Sequence, residues 1–437
     1  MKFFTFLLLF STIAHSTSAT DISLKNEEIT TALITEKVHK FKETHKINGA
    51  AAMALGDKTI YAKGFGIADN STIPAQPCRP DTQFFIGSVT KQFTAAAILH
   101  VLYARHENVD GVREALHKPL SDYLPATDPL WMGDMPEWVN RVTLHHLLTH
   151  TAGIVSYTEV PSFRENLGNP ISVAELISTF KNERAKFEPG AKFKYCNSGY
   201  FLLGEVVARL SGIKFSQYLD VHFFKPLSMT STFLPDEGTG KTMKDSGDYP
   251  NLARGYTCGI ERDSPLIEIS PYWHNSYLRA AGGIVSTVDD LLIWNRSLHS
   301  SISLTPGLTE IMLKGYVILD ETKPDHFYCY GIGKTMINDK LVFTHDGGLG
   351  GFYTTLTYCP CGSISFASFQ NIWVPSDIQL KLVKAHEEAE EVNKDLKASH
   401  PKEFEEAVTE SIKNNIPDEY ALHLRIATIH LADTLTQ

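Results

Sequence analysis

The chain of 437 residues carries 40 basic and 50 acidic side chains, a formal net charge of −10 and a pI near 6.0. This acidic balance, with no basic stripe, zinc-finger spacing or phosphate loop, argues against a nucleic-acid partner, because neutralising phosphates needs clustered cations. With 43% apolar residues the chain can bury a substantial core, either as two or three average domains or as one large enzyme of interleaved lobes.

The N-terminus is typical of a secretory signal peptide over residues 1–19. A positively charged start is followed by an apolar run at Phe3–Phe10 and a small, polar exit. Cleavage after Ala19 or after Ser16 fits this layout, and the alternative is a buried N-terminal strand. No later segment is long and apolar enough for a membrane span. We therefore expect an exported protein, periplasmic or extracellular, without a transmembrane anchor.

The first structural elements after the signal are a helix and a hairpin. Apolar residues at helical spacing predict the helix over Glu27–His45. Two strands are predicted at Gly49–Leu55 and Lys58–Phe65, and Gly56-Asp57 suits a hairpin turn between them.

A helix-rich middle extends from Ser88 to about Asn295, interrupted by loops, and strand patterns return near the C-terminal end. These later strands are predicted at Lys340–Thr344, Gly351–Tyr358 and Ser363–Phe369. Strands at both ends with helices between them indicate one sheet assembled from distant parts of the chain, with a helical lobe inserted. This is an α+β or mixed α/β architecture. The Glu- and Lys-rich residues 399–437 are predicted to be a helical extension, which could dock on the body or on a partner.

Ser88 and Lys91 provide the first candidate catalytic pair. Three positions apart on a helix, their side chains lie on one face and can touch. An amine beside a hydroxyl at the positive end of a helix makes a serine nucleophilic without histidine. The same spacing recurs at Ser178/Lys181, Ser211/Lys214 and Ser399/Lys402. Ser88 differs from these because an apolar segment and a glycine precede it and a small, apolar helix follows it.

Tyr195-Cys196-Asn197 is the second candidate element. In an extended segment, Tyr195 and Asn197 point to one side while Cys196 points away. A neighbouring lysine cation favours the phenolate of Tyr195, which could then take the serine proton and return it to the leaving group. Asn197 offers a donor and an acceptor for Lys91 and for substrate. The alternative is a buried tyrosine followed by a turn asparagine.

The third candidate element is the glycine-rich segment Thr344–Phe352, which joins two predicted strands. Gly347 and Gly348 allow a substrate to lie against the strand edge, where a backbone N–H can serve as an oxyanion donor. His345 could assist proton transfer or orient the acyl group. A glycine-rich hairpin without catalytic function is the alternative.

In the order Ser-x-x-Lys, Tyr-x-Asn, His-x-Gly, these elements resemble the serine β-lactamase and penicillin-binding protein superfamily, in its class C-like branch. The resemblance extends from about Glu28 to about Lys384 and is supported by segments such as Leu144–Gly153 and Ala281–Leu291. It implies a β-lactamase/transpeptidase-like fold with a catalytic domain at 28–398. The sheet would come from about 28–68 and 327–398, and an all-helical lobe from about 80–300.

The resemblance also implies a role for each candidate residue. Ser88 would be the acylated nucleophile, and Lys91 and Tyr195 would share the general-base and general-acid work, with the proton acceptor left open. Asn197 would bind Lys91 and substrate. The N–H groups of Ser88 and Gly348 would form the oxyanion hole, with Gly347 beside them in the substrate-binding strand.

One departure from the family pattern concerns His345. Many family members have lysine here, whose fixed cation receives a substrate carboxylate, whereas histidine is similar to the pattern of esterases and D-aminopeptidases. The sequence thus predicts an exported serine hydrolase of esters or amides, similar to esterases, D-aminopeptidases or DD-peptidases, with weak or absent β-lactamase activity. The runner-up activity is that of a D-amino-acid-specific peptidase or carboxypeptidase on peptidoglycan-like peptides. The partner would be a small molecule or peptide with a scissile acyl bond. The alternative is a non-catalytic binding or regulatory protein of this fold.

No cofactor or metal is expected. His145 and His150 could be drawn as metal ligands, but no carboxylate follows at ligand spacing. Six cysteines occur in the chain, and an exported protein can pair them. Their spacing does not disclose which ones pair.

Overall fold

The computed structural model describes most of the chain between residues 48 and 373. The described ranges are 48–165, 167–235, 249–258, 266–269, 273–319, 321–337 and 340–373. The predicted signal peptide, the helix predicted at 27–45 and the extension at 399–437 lie outside these residues. Within them, no helix combines the length and the apolar character needed to cross a membrane.

The strands follow the predicted order along the chain. They are β1 (Gly49–Leu55), β2 (Lys58–Phe65), β3 (Ile67–Asp69), β4 (Gln76–Pro77), β5 (Phe84–Phe85), β6 (Tyr256–Cys258), β7 (Leu266–Glu268), β8 (Val285–Ser286), β9 (Val317–Ile318), β10 (Phe327–Tyr328), β11 (Gly333–Ile337), β12 (Lys340–Leu349), β13 (Phe352–Cys359), β14 (Ile364–Gln370) and β15 (Ile372–Trp373). The two N-terminal strands have the predicted bounds. Strand β12 is longer than predicted and includes His345, Gly347 and Gly348.

Eight strands form one antiparallel sheet in the order β2-β1-β14-β13-β12-β11-β10-β9. The pairing of β1 with β14 joins the two ends of the described chain, with Ala52 of β1 opposite Ala367 of β14. This confirms the prediction of one sheet built from distant segments. Because β12 pairs with β11 and β13, its glycine-rich end is held on both sides by the body of the sheet.

The helices lie mainly between the two groups of strands. They are α1 (Thr90–His106), α2 (Val109–Leu116), α3 (Leu144–Leu148), α4 (Val173–Ser178), α5 (Asn197–Ser211), α6 (Phe215–Leu219), α7 (Arg279–Gly282), α8 (Val288–His299) and α9 (Pro306–Leu313). The prediction of an all-helical inserted lobe was wrong. Short strands occur within it: β5 pairs with β8, and β6 pairs with β7 and with β15. These short pairings form small sheets separate from the eight-stranded one.

Helix α1 lies at the centre of the core. Every residue from Thr90 to Leu99 is buried, so this helix is apolar or satisfied on all sides rather than amphipathic. Its polar side chains have partners: Thr94 donates to the Ala280 carbonyl at 2.7 Å, and Gln92 accepts from the Trp294 indole at 2.9 Å. A buried polar group without such partners costs about 1–3 kcal/mol. These bonds fix the rotation of the helix and therefore the direction of Lys91.

The cysteines have a minor structural part in the described residues. Cys359 and Cys361 form a disulfide at the end of β13, a pairing that the spacing had left open. Cys78, Cys196 and Cys329 are buried free thiols. The disulfide closes only a local turn, so the fold depends on its apolar core.

Candidate active site

Ser88 lies on a tight turn between β5 and α1. Gly87, Ser88 and Val89 form a single 3-10 turn. Helix α1 therefore begins at Thr90, two residues after the start predicted at Ser88. Gly87 has φ +52°, a left-handed conformation that favours glycine. A Cβ atom at Gly87 would also approach the Gly348 nitrogen to 2.9 Å. The glycine therefore allows the serine turn to lie directly against strand β12.

The Lys91 ammonium contacts Ser88, as their spacing predicts. Lys91 Nζ lies 3.0 Å from Ser88 Oγ, 2.8 Å from Asn197 Oδ1 and 2.6 Å from the Ala281 carbonyl oxygen. An ammonium has three N–H donors, and these three oxygens occupy all of them. The side chain is therefore held in one direction, with Ser88 as one of its three partners.

Burial changes the charge state of Lys91. Its side chain is fully buried, all three acceptors are neutral oxygens, and none of the ion pairs among the described residues involves it. Removing the ammonium from water without a compensating negative charge lowers the pKa of Lys91 to about 7. Near neutral pH, the amine is thus present in both its charged and its neutral form.

Asn197 was predicted to lie in an extended segment, but it is the first residue of helix α5. Its backbone N–H donates to Ser156 Oγ at 3.1 Å, and its side-chain amide lies 3.3 Å from Thr158 Oγ1. The other end of the amide, Oδ1, accepts from Lys91. The start of α5 nevertheless brings Asn197 to the site, while the Cys196 thiol points to the Ile154 carbonyl.

The environment of Tyr195 opposes the predicted phenolate. The hydroxyl oxygen is buried and makes no hydrogen bond of normal geometry, although Lys91 Nζ lies 4.8 Å from the ring centre. Burial raises the pKa of Tyr195, and the neighbouring Ser88 hydroxyl offsets this only in part. The prediction that the lysine cation favours the phenolate was wrong because desolvation is the larger effect. Tyr195 is a neutral phenol.

Strand β12 forms the side of the site opposite α1. A Cβ atom at Gly347 would clash with the Ile86 carbonyl oxygen and would lie 3.1 Å from the Ser88 nitrogen. Gly347 is buried against the serine turn, whereas Gly348 is exposed. The two backbones thus approach each other closely only because side chains are absent, as the glycine-rich pattern predicts.

His345 is buried and makes two hydrogen bonds. Its Nδ1 lies 2.7 Å from the carbonyl oxygen of Asp346, and its Nε2 lies 3.2 Å from the Tyr328 hydroxyl. Burial, with the nearby Lys91 charge, lowers the pKa of His345 to about 3. The ring is therefore neutral at physiological pH, in line with the reduced positive charge expected when histidine replaces lysine.

His145 and His150, which were considered as metal ligands, make hydrogen bonds to different groups. His145 Nδ1 lies 2.7 Å from the Tyr330 hydroxyl. His150 Nδ1 accepts from the Cys196 N–H at 3.0 Å, and its Nε2 lies 3.0 Å from the Tyr328 hydroxyl. Across the described ranges, no group of three or more His, Cys, Asp or Glu side chains is arranged to hold a metal ion.

Four groups that contact the site residues were not predicted from the sequence to have a role there. They are the Ala281 carbonyl, the Thr158 hydroxyl, the His150 ring and the Tyr328 hydroxyl. His150 and Ala281 belong to segments that resemble the family, but their contacts with the site had no sequence signal. Tyr328 had none at all.

Comparison with known proteins places the chain among related sequences. Residues 34–389 match the family model described as Beta-lactamase. The putative penicillin-binding protein PbpX of Bacillus subtilis is 30% identical over 311 residues, which cover 69% of each protein. A D-aminopeptidase of Brucella canis is 23% identical over 355 residues, 80% of this chain and 61% of that protein. The chain spans about three fifths of the length of several curated relatives that it matches.

A solved structure supports the same fold. The D-stereospecific amidohydrolase of a Streptomyces species superposes with a TM-score of 0.62 at 24% identity, covering 77% of this chain and 93% of that one. At this identity the likeness establishes the arrangement of the helices and the antiparallel sheet.

Proposed function

Because this chain belongs to the β-lactamase family, we propose that it is an exported serine hydrolase that forms an acyl-enzyme at Ser88 and hydrolyses an ester or an amide. The family includes penicillin-binding proteins and D-aminopeptidases, in keeping with serine hydrolase chemistry. Export rests on the signal-like residues 1–19, and the chemistry rests on the side chains around Ser88.

The contact between Lys91 and Ser88 carries the proposal. A general base must lie within hydrogen-bond reach of the proton it removes and must have a pKa near the working pH. Lys91 Nζ lies 3.0 Å from Ser88 Oγ, and its pKa is lowered to about 7. The Tyr195 hydroxyl makes no hydrogen bond of normal geometry, and its pKa is raised away from the working pH. This favours Lys91 as the base and Tyr195 as the acid.

In the proposed reaction, neutral Lys91 takes the Ser88 proton as Oγ attacks the acyl carbon. The N–H groups of Ser88 and Gly348 stabilise the negative oxygen of the tetrahedral intermediate. As the bond to the leaving group breaks, the Tyr195 phenol donates its proton to that group and is reprotonated by Lys91. A water molecule then attacks the acyl carbon of the ester at Ser88. Its proton passes through Tyr195 and Lys91 to Ser88 Oγ, which releases the acid and regenerates the serine.

The electrostatics of the site favour an uncharged substrate near β12. The His345 ring is neutral, so the glycine-rich end of β12 beside Ser88 offers no fixed cation of the kind that a substrate carboxylate needs. Esters and amides, including amides of D-amino acids, are the substrates that we propose. Hydrolysis of β-lactams would be weak or absent, since these compounds carry a carboxylate beside the scissile bond.

Covalent labelling tests the nucleophile. A fluorophosphonate probe should label the wild type, and Ser88→Ala should abolish the labelling. Ser178→Ala is the matched control because Ser178 has the same spacing to Lys181, whereas Lys181 Nζ binds the Trp131 and Asp134 carbonyls. Equal labelling of wild type and Ser88→Ala would overturn the assignment of the nucleophile.

Turnover tests the activity itself. Wild type and Ser88→Ala would be compared on short-chain aryl esters, D-amino-acid amides and a chromogenic cephalosporin. We expect turnover of at least one ester or amide that is lost in Ser88→Ala. Reversible binding without turnover of any of these compounds would instead favour a non-catalytic binding protein.

A further inference from the structure

A chain of hydrogen bonds extends behind the candidate site from one backbone segment to another. The Cys196 N–H donates to His150 Nδ1 at 3.0 Å, and His150 Nε2 lies 3.0 Å from the Tyr328 hydroxyl. That hydroxyl lies 3.2 Å from His345 Nε2, and His345 Nδ1 lies 2.7 Å from the Asp346 carbonyl. The three side chains are buried, with exposed fractions of 1% for His150, 4% for Tyr328 and 7% for His345.

The backbone groups at the two ends fix the direction of every bond. A peptide N–H only donates, so His150 Nδ1 carries no proton and its Nε2–H donates to Tyr328. A carbonyl only accepts, so His345 Nδ1 carries a proton and donates it to Asp346. The Tyr328 oxygen already receives the His150 proton, and its own proton faces two acceptors, His345 Nε2 and the Tyr200 hydroxyl; the unprotonated Nε2 of the neutral ring is the one that completes the chain. All four bonds are satisfied with both rings neutral.

A charged His345 requires this arrangement to change. An imidazolium donates from both nitrogens, so the Tyr328 oxygen would accept from two rings, and its own proton would have to turn to the Tyr200 hydroxyl, which itself donates to the Leu148 carbonyl. The groups facing His345 add to this effect: Lys91 is a cation in its charged form, and Tyr195, Tyr328 and His150 offer no negative charge. Burial also lowers the pKa of His150 well below its usual range.

We infer that His150 and Tyr328 are positioning residues that hold His345 as a neutral ring with its proton on Nδ1. The third motif then presents an uncharged surface where a lysine would present a cation. This inference rests on the proposed function and narrows its substrate class: the enzyme prefers acyl compounds whose leaving group lacks a free carboxylate. Amidase, aminopeptidase and esterase reactions meet this condition, and carboxypeptidase reactions do not.

The protonation of His345 can be measured without any substrate. In protein labelled with 15N-histidine, the signals absent from a His345→Gln variant identify the ring. We expect a protonated Nδ1 and an unprotonated Nε2 in the wild type from about pH 5 to pH 8. Tyr328→Phe removes the donor to Nε2 but leaves the ring buried, so His345 should stay uncharged while its Nε2 signal moves to that of a nitrogen without a hydrogen-bond donor. An imidazolium in the wild type, or unchanged His345 signals in Tyr328→Phe, would overturn the inference.

Two further variants separate positioning from general damage. Tyr330→Phe is the matched control because it removes a buried hydroxyl that binds another histidine, His145, and it should leave the His345 signals unchanged. His150→Asn is the second test if Tyr328→Phe does not fold. Asparagine tolerates the φ of +57° at this position and can still accept from Cys196, but it is too short to reach Tyr328. It should also change the His345 signals, because Tyr328 loses the His150 donor that directs its own proton to Nε2.

Kinetics test the consequence for the substrate. N-acetyl-D-Ala-D-Ala and its C-terminal amide differ only in the charge of the leaving group. Because the His345 ring is uncharged, kcat/KM of the wild type should be at least about tenfold higher for the amide than for the acid from about pH 5.5 to pH 8. Equal values, or a preference for the acid, would overturn the substrate class even if His345 is neutral. Lack of turnover and of Ser88 labelling in the wild type would count against the proposed function, while the 15N signals still decide the positioning role.

Discussion

The ammonium of Lys91 donates a 2.6 Å hydrogen bond to the carbonyl oxygen of Ala281, a residue 190 positions away in the chain. This bond, with those to Asn197 and Ser88, gives the ammonium three neutral partners and no carboxylate among the described residues. The site therefore holds a buried amine that loses its proton easily. This charge state determines both the expected pH dependence and a stability cost.

The pH dependence of kcat/KM should report the proton on Lys91. Because the neutral amine is the proposed base and its pKa is lowered to about 7, activity should rise with pH and reach half its maximum near pH 7. The measurement is kcat/KM for a neutral ester between about pH 5 and pH 9, with spontaneous hydrolysis subtracted. A flat profile over this range would contradict a Lys91 base.

Lys91→Met should stabilise the protein while abolishing turnover. Lowering the pKa from 10.5 to about 7 corresponds to a burial cost of about 5 kcal/mol at neutral pH. The Asn197 and Ala281 oxygens would lose a donor, at about 1–3 kcal/mol for each buried group. Together the two oxygens lose about 2–6 kcal/mol, so we expect a net gain in the free energy of unfolding of about 1 kcal/mol at pH 7, measured by urea denaturation.

The gain from Lys91→Met should depend on pH with a definite sign. Below about pH 7, lysine is charged in both the folded and the unfolded chain, so the wild type bears the whole burial cost. As the pH rises towards 10.5, the unfolded lysine also loses its proton and the cost disappears. The advantage of Lys91→Met should thus shrink between pH 7 and pH 10. An advantage that grows over this interval would show that Lys91 is not destabilised by burial.

The sequence predicts local geometry well and tertiary contacts poorly. The contact between Ser88 and Lys91 follows from their spacing, and the bounds of β1 and β2 follow from apolar runs around a two-residue turn. The bond from Lys91 to Ala281 depends on how helices α1 and α7 pack, and no short-range pattern reports that.

The charge state of Tyr195 illustrates the same limit. A tyrosine near a lysine was predicted to be a phenolate, because attraction between opposite charges can be inferred from the motif alone. Desolvation depends on every group that covers the hydroxyl, and here it raises the pKa. The bond between Tyr328 and His345 is hidden for a similar reason: it crosses strands β10 to β12, whose register the sequence does not disclose.

Replacing Gly347 with alanine should separate strand β12 from the serine turn. The added methyl group would clash with the Ile86 carbonyl oxygen, which belongs to the backbone and cannot move without shifting Ser88. Loss of one oxyanion donor costs about 100- to 1,000-fold in kcat, and we expect a decrease of this size in Gly347→Ala. Its measurement is kcat on the best ester substrate, together with the thermal unfolding midpoint.

Gly350→Ala is the matched control for this prediction. A Cβ atom there would lie 3.7 Å from Trp273 Nε1, an ordinary van der Waals distance, and the backbone is not left-handed. Its kcat should stay within about twofold of the wild type, because the added methyl group clashes with no neighbouring atom and leaves the serine turn in place. If Gly347→Ala behaved like Gly350→Ala, the close approach of β12 to Ser88 would not matter for catalysis, and Gly348 would be the wrong oxyanion donor. If both variants lost activity equally, the glycine-rich end of β12 would matter as a flexible segment rather than as a fixed wall of the site.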